Sequence, residues 1–368
     1  TWLSQRRDLQ HYAEASPEAF LDIVEDDLAS ELPKIHALMG SGGNSLFSSC
    51  PRTGLLWALE SLAWDPERMP RVVDILATLS TIEITDNISN KPEASLKAIF
   101  LWWMPQTAAN AQQRTVALER LCRRNPKIGW RICLAQLNTH HASGSSRPRW
   151  RSEGIGAGRA NQGKENREFL IKAIDLAIDW PHHDHHTLGD LVEHVQRFDE
   201  DRADRLWSAI ATWRASDPSE EDMAALRERI RRHVDTRRGR LHKMSTGNRA
   251  KSRAAYESLA PQDVVVRHQW LFANHWVDES IVDLEDNNYD FRKREERISA
   301  LRVAALNEVW DTQGYEGFVR LCFSGNAATT AGWHLSHSIV DFDTSLEVLL
   351  RLVKDEDEPH GRAIDSAI

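Results

Sequence analysis

Apolar residues recur at helical spacing along most of the chain, and short polar turns separate the runs. Residues 55–80 read LLWALESLAWDPERMPRVVDILATLS, in which Leu55, Leu59 and Leu62 fall on one helical face. A second apolar stripe begins at Val72, after an Asp-Pro step. Recurrence every three or four residues is the pattern of an amphipathic helix. The segment therefore predicts two short helices, each with an apolar face to bury.

Proline introduces several of the predicted helices. It suits the first helical turn, because the N–H that it lacks would have no partner there. A Ser, Asp or Asn before it can cap the helix, and an acidic residue after it favours the positive end of the helix dipole. Segments of this kind place helix starts at Pro17, Pro66, Pro92, Pro126, Pro218 and Pro261. Their uneven spacing excludes a strict period of about 34 residues.

Strand signals are short and ambiguous. TIEIT at residues 81–85 alternates only briefly, and DVVVRHQWLF at 263–272 fits a helix as well as a strand. We therefore predict an all-α chain, an irregular α-solenoid-like array of antiparallel helix pairs. A compact helical domain is the alternative.

Two segments interrupt the helical pattern. Residues 138–166 are rich in Gly, Ser and Arg, and we predict a long loop there, between helical arrays at 1–137 and 167–368. Residues 227–253 contain eleven Lys or Arg against two acidic residues. Because clustered basic side chains can contact phosphates, this stretch supports a nucleic-acid-binding hypothesis.

Composition narrows the class of protein. The 368 residues carry a net charge of -9, which argues against a basic protein that coats nucleic acid. No apolar run approaches about 18 residues, so no membrane span is predicted. The four cysteines form no CxxC pair, which indicates free thiols in a reducing compartment. The chain begins TWLSQRRDLQ, without an initiator Met or a signal-peptide pattern, and we expect a cytoplasmic fragment of a longer protein.

A histidine-rich turn is a candidate for metal chemistry. Residues 180–195 read WPHHDHHTLGDLVEHV, and a helix that starts near Thr187 would bring several of these side chains within one turn of each other. Zinc takes such ligands, although their order matches no zinc signature. The candidates are His182, His186, Asp190 and His194. A weaker set on another predicted helix face is His334, His337 and Asp341.

A second motif match concerns nucleotide binding. Residues 158–164 read GRANQGK, the spacing of a phosphate-binding P-loop. Glu165 follows where a Ser or Thr should bind magnesium, and no buried strand precedes the loop. We therefore interpret the match as a loop without a phosphate site. No nucleophile motif is present either, so we predict no catalytic residue and no cofactor.

Two clusters are candidates for partner binding. Arg and Trp are enriched at the energetic centres of interfaces, and the 138–166 loop places a Trp between two Arg. The second cluster belongs to the basic stretch. The candidates are Arg149, Trp150, Arg151, Arg237, Arg238 and Arg240. Most of the fourteen tryptophans lie in apolar helical stretches instead, and we predict that Trp57 is buried between helices.

Several segments together carry a resemblance to a known family. LLWALESLAW, ILATLS, NKPEASLKAIFLWWMPQT, RPRWR and LAPQDVVVRHQWLF resemble the helical C-terminal region of bacterial antiphage STAND NTPases, over about Leu55 to Phe323. In that family an effector and an NTPase precede a helical-repeat sensor, which binds a foreign protein and drives oligomerisation. The resemblance implies a sensor region, and it carries over no residue-level motif.

These observations favour a protein-interaction module, the target-sensing or scaffold region of a larger bacterial defence protein. The expected partner is a protein, such as a phage protein, and the full-length protein is a candidate for self-association. Two alternatives remain open: a helical nucleic-acid-binding domain that uses residues 227–253, and a metal-dependent enzyme at the 182–194 histidine cluster. The fragment itself is not expected to be an enzyme.

Overall fold

The computed structural model describes residues 1–40, 50–138, 163–235, 245–277, 291–324 and 327–354. Within these ranges every regular element is a helix and none is a strand, which confirms the predicted all-α class. Residues 81–85 form a turn and irregular backbone, and Val264–Phe272 is helical.

Contacts divide the chain into two compact units, Thr1–Trp180 and Pro181–Ile368, called unit 1 and unit 2 below. The helices of unit 1 are α1 Trp2–Gln5, α2 Leu9–Ala15, α3 Pro17–Ala29, α4 Thr53–Leu62, α5 Met69–Leu79, α6 Pro92–Phe100, α7 Ala111–Arg124, α8 Pro126–Leu137 and α9 Gly163–Ile178. The division falls after α9, because α9 packs against α7 and α8. Most of the 138–166 segment, where we predicted the boundary, lies outside the described residues.

Unit 2 holds the remaining helices. They are α10 His185–Val192, α11 Glu200–Ala215, α12 Glu220–Ile230, α13 Thr246–Ser258, α14 Val264–Phe272, α15 Phe291–Phe323, α16 Ala327–His334 and α17 Phe342–Lys354. A π-helical turn, Leu335–Ile339, continues α16. No helix in the described part of the chain has both the length and the apolarity needed to cross a membrane.

Three helices begin at predicted prolines, namely α3, α6 and α8. Three others begin two or three residues after the proline. Ser219 caps α12 and Asp263 caps α14 by accepting backbone N–H groups of the first turn, so each of these helices starts after its cap. The third, α5, begins at Met69, after a turn that contains Pro66.

Apart from α1, each helix packs mainly against helices one or two places away along the chain. In unit 1 the pairs two places apart are α2–α4, α3–α5, α4–α6, α5–α7, α6–α8 and α7–α9. In unit 2 they are α10–α12, α11–α13, α12–α14 and α14–α16. Leu55, Leu59 and Leu62 of α4 are buried, as their spacing predicts.

The prediction that Trp57 is buried is wrong, because its side chain is 52% exposed. Leu55, Leu56, Ala58 and Leu59 on either side of it are fully buried, so α4 turns this one large side chain outwards. Other exposed tryptophans are Trp103, Trp276 and Trp333, whereas Trp64, Trp130 and Trp207 are buried. Apolar residues occur on nearly every face of α4, so the sequence pattern does not indicate which of them faces solvent.

Candidate binding groove

The histidine-rich turn leads into α10. Asp184 caps this helix, because its carboxylate accepts the Thr187 N–H at 2.7 Å. His185 contacts the Asp222 carboxylate at 2.9 Å, and His183 Nδ1 lies 3.2 Å from the Thr187 hydroxyl. His182 is exposed. Several polar side chains of this turn therefore cap α10 or bind neighbouring residues.

An arginine lies among the candidate metal ligands. Arg229 of α12 donates to Asp190 at 2.7 Å, to the His186 carbonyl at 3.1 Å and to Glu193 at 2.5 Å. Its side chain crosses Gly189, where an added Cβ would come within 2.4 Å of it. Both carboxylates of this cluster therefore already bind a guanidinium. Among the described residues, no group of three or more His, Cys, Asp or Glu is arranged to hold a metal ion.

His194 is neutral at neutral pH. Burial lowers the pKa of its imidazole to about 4, and Arg197 adds to the effect, although Glu193 and Asp190 oppose it. The structure places His186 and Asp190 on α10 and His194 in the turn that follows it, and Asp190 binds Arg229.

The partner-binding candidates Arg149, Trp150, Arg151, Arg237, Arg238 and Arg240 lie outside the described residues. The described part of the basic stretch makes internal contacts. Arg227 stacks on Tyr256 at 4.0 Å from the ring centroid, and Arg231 stacks on Trp270 at 4.2 Å. Lys251 forms an ion pair with Asp204. These side chains join helices of unit 2 to each other, which is a structural role for their charge.

The P-loop-like segment is described only from Gly163 onwards, where α9 begins. Glu165, at the position that should bind magnesium, accepts the Ala111 N–H at 2.6 Å. Ala111 is the first residue of α7, so this carboxylate satisfies a backbone donor at a helix start. This contact gives Glu165 a structural role that does not require a bound nucleotide.

An open groove lies between α15 and α16, with a cavity volume of about 1160 Å³. Ala300, Val303 and Ala304 of α15 supply apolar lining, and Trp333 of α16 supplies an aromatic side chain that is 48% exposed. Its polar lining comes from Glu295, Glu296, Ser299, Arg302, Asn307, Thr329, Thr330 and His334. Apolar lining with a few placed polar groups is typical of a binding site.

His334 is the polar group of this groove whose hydrogen bonding is incomplete. Its side chain is 3% exposed, and its Nδ1 atom has no hydrogen-bond partner. Such an atom costs about 1–3 kcal/mol when it stays unsatisfied, so a buried polar atom usually has a partner. Burial, with Arg302 and His337 nearby, lowers the pKa of His334 to about 4. The neutral ring offers one donor and one acceptor nitrogen.

The neighbours of His334 are fixed by contacts within the chain. Arg302 donates to the Leu271 carbonyl at 3.0 Å and to the Asn274 and His275 carbonyls at 3.1 Å. Its guanidinium therefore holds the segment after α14 and supports the wall of the groove. His337 stacks on Trp333 with ring centroids 4.8 Å apart, which orients the indole.

A second groove, of about 810 Å³, lies in unit 1 beside the turn between α7 and α8. Its charged lining is mixed, with Lys91, Arg124, Lys127 and Arg131 against Glu83 and Glu93. Glu93 is paired with Arg131 at 3.1 Å and with Lys97 at 2.8 Å. This groove has no aromatic side chain among its lining residues, so it makes a weaker case for a binding site.

No protein-family model matches this chain, and neither the curated proteins nor the solved structures include a match. The candidate groove is therefore identified by its geometry and chemistry alone.

The sequence predicts His334 as a candidate metal ligand, together with His337 and Asp341. In the structure His337 Nδ1 lies 2.8 Å from the Trp333 carbonyl, and Asp341 accepts the Thr344 N–H at 2.8 Å near the start of α17. These two residues therefore support local structure. No local pattern could reveal the groove, because α15 and α16 form it only when they pack.

Proposed function

We propose that this chain is a protein-interaction module, and that the groove between α15 and α16 receives a segment of the partner. The observation that carries the proposal is the exposed Trp333, which lines an open groove beside apolar side chains of α15. A polypeptide segment can fill such a site with one apolar side chain and one backbone or side-chain hydrogen-bonding group. Trp is among the residues most often found at the energetic centres of interfaces.

The size of the groove and the helix order support a macromolecular partner. An open groove of about 1160 Å³ has room for several side chains of a polypeptide segment. Packing between helices two places apart, seen in both units, is what stacked helix pairs produce. Such stacks are commonly binding scaffolds, so an irregular α-solenoid is the architecture that this proposal favours.

Peptide display tests the binding activity. A library of random peptides is selected on the immobilised chain, and the affinities of selected peptides are then measured by fluorescence anisotropy. Trp333→Ala should weaken binding about tenfold or more, as expected for loss of an interface anchor. Trp57→Ala is the matched control, because Trp57 is similarly exposed but belongs to unit 1. Equal affinities for the two variants would contradict a site at this groove.

A second variant blocks the groove without removing a core side chain. Ala300 is exposed and lines the groove, so Ala300→Trp should occlude it while the melting temperature stays near that of the wild type. Selected peptides should then lose binding. Unchanged binding by Ala300→Trp would place the peptide elsewhere on the chain.

The proposal also includes a defence role in the bacterial cytoplasm, which the resemblance to STAND sensor regions suggests. Its test is a pull-down with purified phage structural proteins, with wild type and Trp333→Ala run side by side. Capture that depends on Trp333 would support this role. Failure of every phage protein, with peptide binding intact, would reject the defence role and leave the binding activity standing.

A further inference from the structure

Two cysteine side chains meet where α7 packs against α8. The Sγ atoms of Cys122 and Cys133 are 3.8 Å apart. Cys133 is 1% exposed, whereas Cys122 is partly exposed. The other cysteines of the chain are Cys50 and Cys322. A sequence without a CxxC pair does not indicate this arrangement, because the two cysteines are eleven positions apart and a helix–helix turn lies between them.

Gly129 explains why the sulfur atoms approach so closely. A Cβ added at Gly129 would lie 2.6 Å from the Cα atom and 2.9 Å from the Sγ atom of Cys122. The backbone of α8 therefore runs directly against α7 at Cys122, which a larger residue would prevent. Cys133 follows Gly129 by four residues, one helical turn, so it lies on the same face of α8.

We propose that Cys122 and Cys133 form a dithiol site, which a hydroperoxide converts to an intramolecular disulfide. A disulfide has a sulfur–sulfur distance of about 2.05 Å, so the two Sγ atoms must approach by about 1.8 Å. Rotation of the two side chains can supply part of this distance, because the helix backbones are already in contact. The site is independent of the groove in unit 2.

The chemistry assigns different roles to the two thiols. Cys122 is the accessible one, so its thiolate attacks one peroxide oxygen, the O–O bond breaks, and a sulfenic acid forms as an alcohol or water leaves. The sulfur of Cys133 then attacks the Cys122 sulfur. The S–S bond forms, the S–O bond breaks, and the hydroxyl leaves with the Cys133 proton as water. The two thiols lose two electrons and the hydroperoxide gains them.

The environment of Cys133 determines which step is slow. The neighbouring Cys122 sulfur and burial both raise the pKa of Cys133, which protects this thiol from direct oxidation and makes its attack on the Cys122 sulfur the slower step. The disulfide would join the two helices that flank the α7–α8 turn. That turn lines the groove of unit 1 through Asn125, Pro126 and Lys127, so oxidation would restrict movement beside that groove.

The test measures thiols and mass in the reduced, folded chain after treatment with hydrogen peroxide. We expect the chain to lose two of its four thiols and the mass of two hydrogen atoms. A non-reducing digest should contain one linked peptide that joins Cys122 to Cys133, and a dithiol reductant should reverse the change. The melting temperature should rise on oxidation, because the cross-link restricts the unfolded chain.

Cysteine variants distinguish the Cys122–Cys133 disulfide from oxidation at other cysteines. Cys122→Ser and Cys133→Ala should both lack the linked peptide, and Cys50→Ser should behave as the wild type. The wild-type digest decides the question even if a core variant fails to fold. The proposal is overturned if peroxide leaves all four thiols of the wild type intact, or if the linked peptides contain Cys50 or join different chains.

Discussion

Tryptophan side chains in this chain fall into two physical classes. Trp207 is 6% exposed, and its indole N–H donates to the Asn248 amide oxygen at 2.7 Å. Trp57 is 52% exposed. The same residue type therefore contributes very differently to stability at the two positions.

We expect Trp207→Ala to lower the free energy of unfolding by about 3–5 kcal/mol, because it leaves a cavity and an unpaired amide. Trp57→Ala should lower it by less than about 1 kcal/mol, as is usual for a surface change. Urea unfolding followed by circular dichroism measures both. If the two variants lose similar free energies of unfolding, the side chain of Trp57 is buried.

Acid sensitivity follows from two buried histidines. The pKa of His194 and of His334 is about 4 in the folded chain, below the ordinary value of 6.5. The unfolded chain binds these protons more readily, so stability falls as the pH drops from about 6.5 towards about 4. His194→Gln should reduce this loss when urea midpoints at about pH 7 and about pH 5 are compared with those of the wild type. An identical loss in the variant would show that His194 does not contribute.

At the scale of the element, the bend in α15 depends on one glycine. Gly314 has φ 56 and ψ -142, and this positive φ is unfavourable for any residue with a Cβ. Gly247 lies in the first turn of α13, without a positive φ, and an added Cβ there meets nothing within 4 Å. The two glycines thus differ in backbone conformation, whereas both have room for an added Cβ.

Gly314→Ala should destabilise unit 2 by about 1 kcal/mol or more, whereas Gly247→Ala should stabilise it by about 0.4–1 kcal/mol. The difference arises from the backbone, since neither new methyl group meets another atom within 4 Å. Thermal unfolding of the two variants against the wild type provides the measurement. If Gly314→Ala is as stable as the wild type, the bend in α15 does not require a positive φ at residue 314.

Helix type and approximate position could be read from the sequence, because apolar spacing and proline are local signals. The first residue of a helix is harder to predict, because side-chain caps such as Ser219 and Asp263 start the helix after the proline. The groove residues could not be assembled from sequence, because Ala300 and Trp333 become neighbours only through packing of α15 on α16. The Cys122–Cys133 contact likewise depends on how closely α8 approaches α7.

At the scale of the whole molecule, the division after Trp180 predicts independent folding of unit 1. Its core draws on α2 to α9, and its buried residues include Leu55, Leu76, Leu118 and Phe169. Residues 1–180 expressed alone should give a helical circular dichroism spectrum and a cooperative unfolding transition, as expected of a domain. A chain that is helical but melts without a transition would show that unit 1 needs unit 2.

The packing order of the helices has a consequence for how the chain folds. Main partners lie one or two places apart, so most contacts form between segments that are close in sequence. Local contacts require little loop closure, and chains rich in them fold quickly for their size. Interfaces of this kind can also open one at a time, since each helix pair depends chiefly on its immediate neighbours. Amide hydrogen exchange should therefore be graded along each unit, slowest at its middle helices and fastest at its ends.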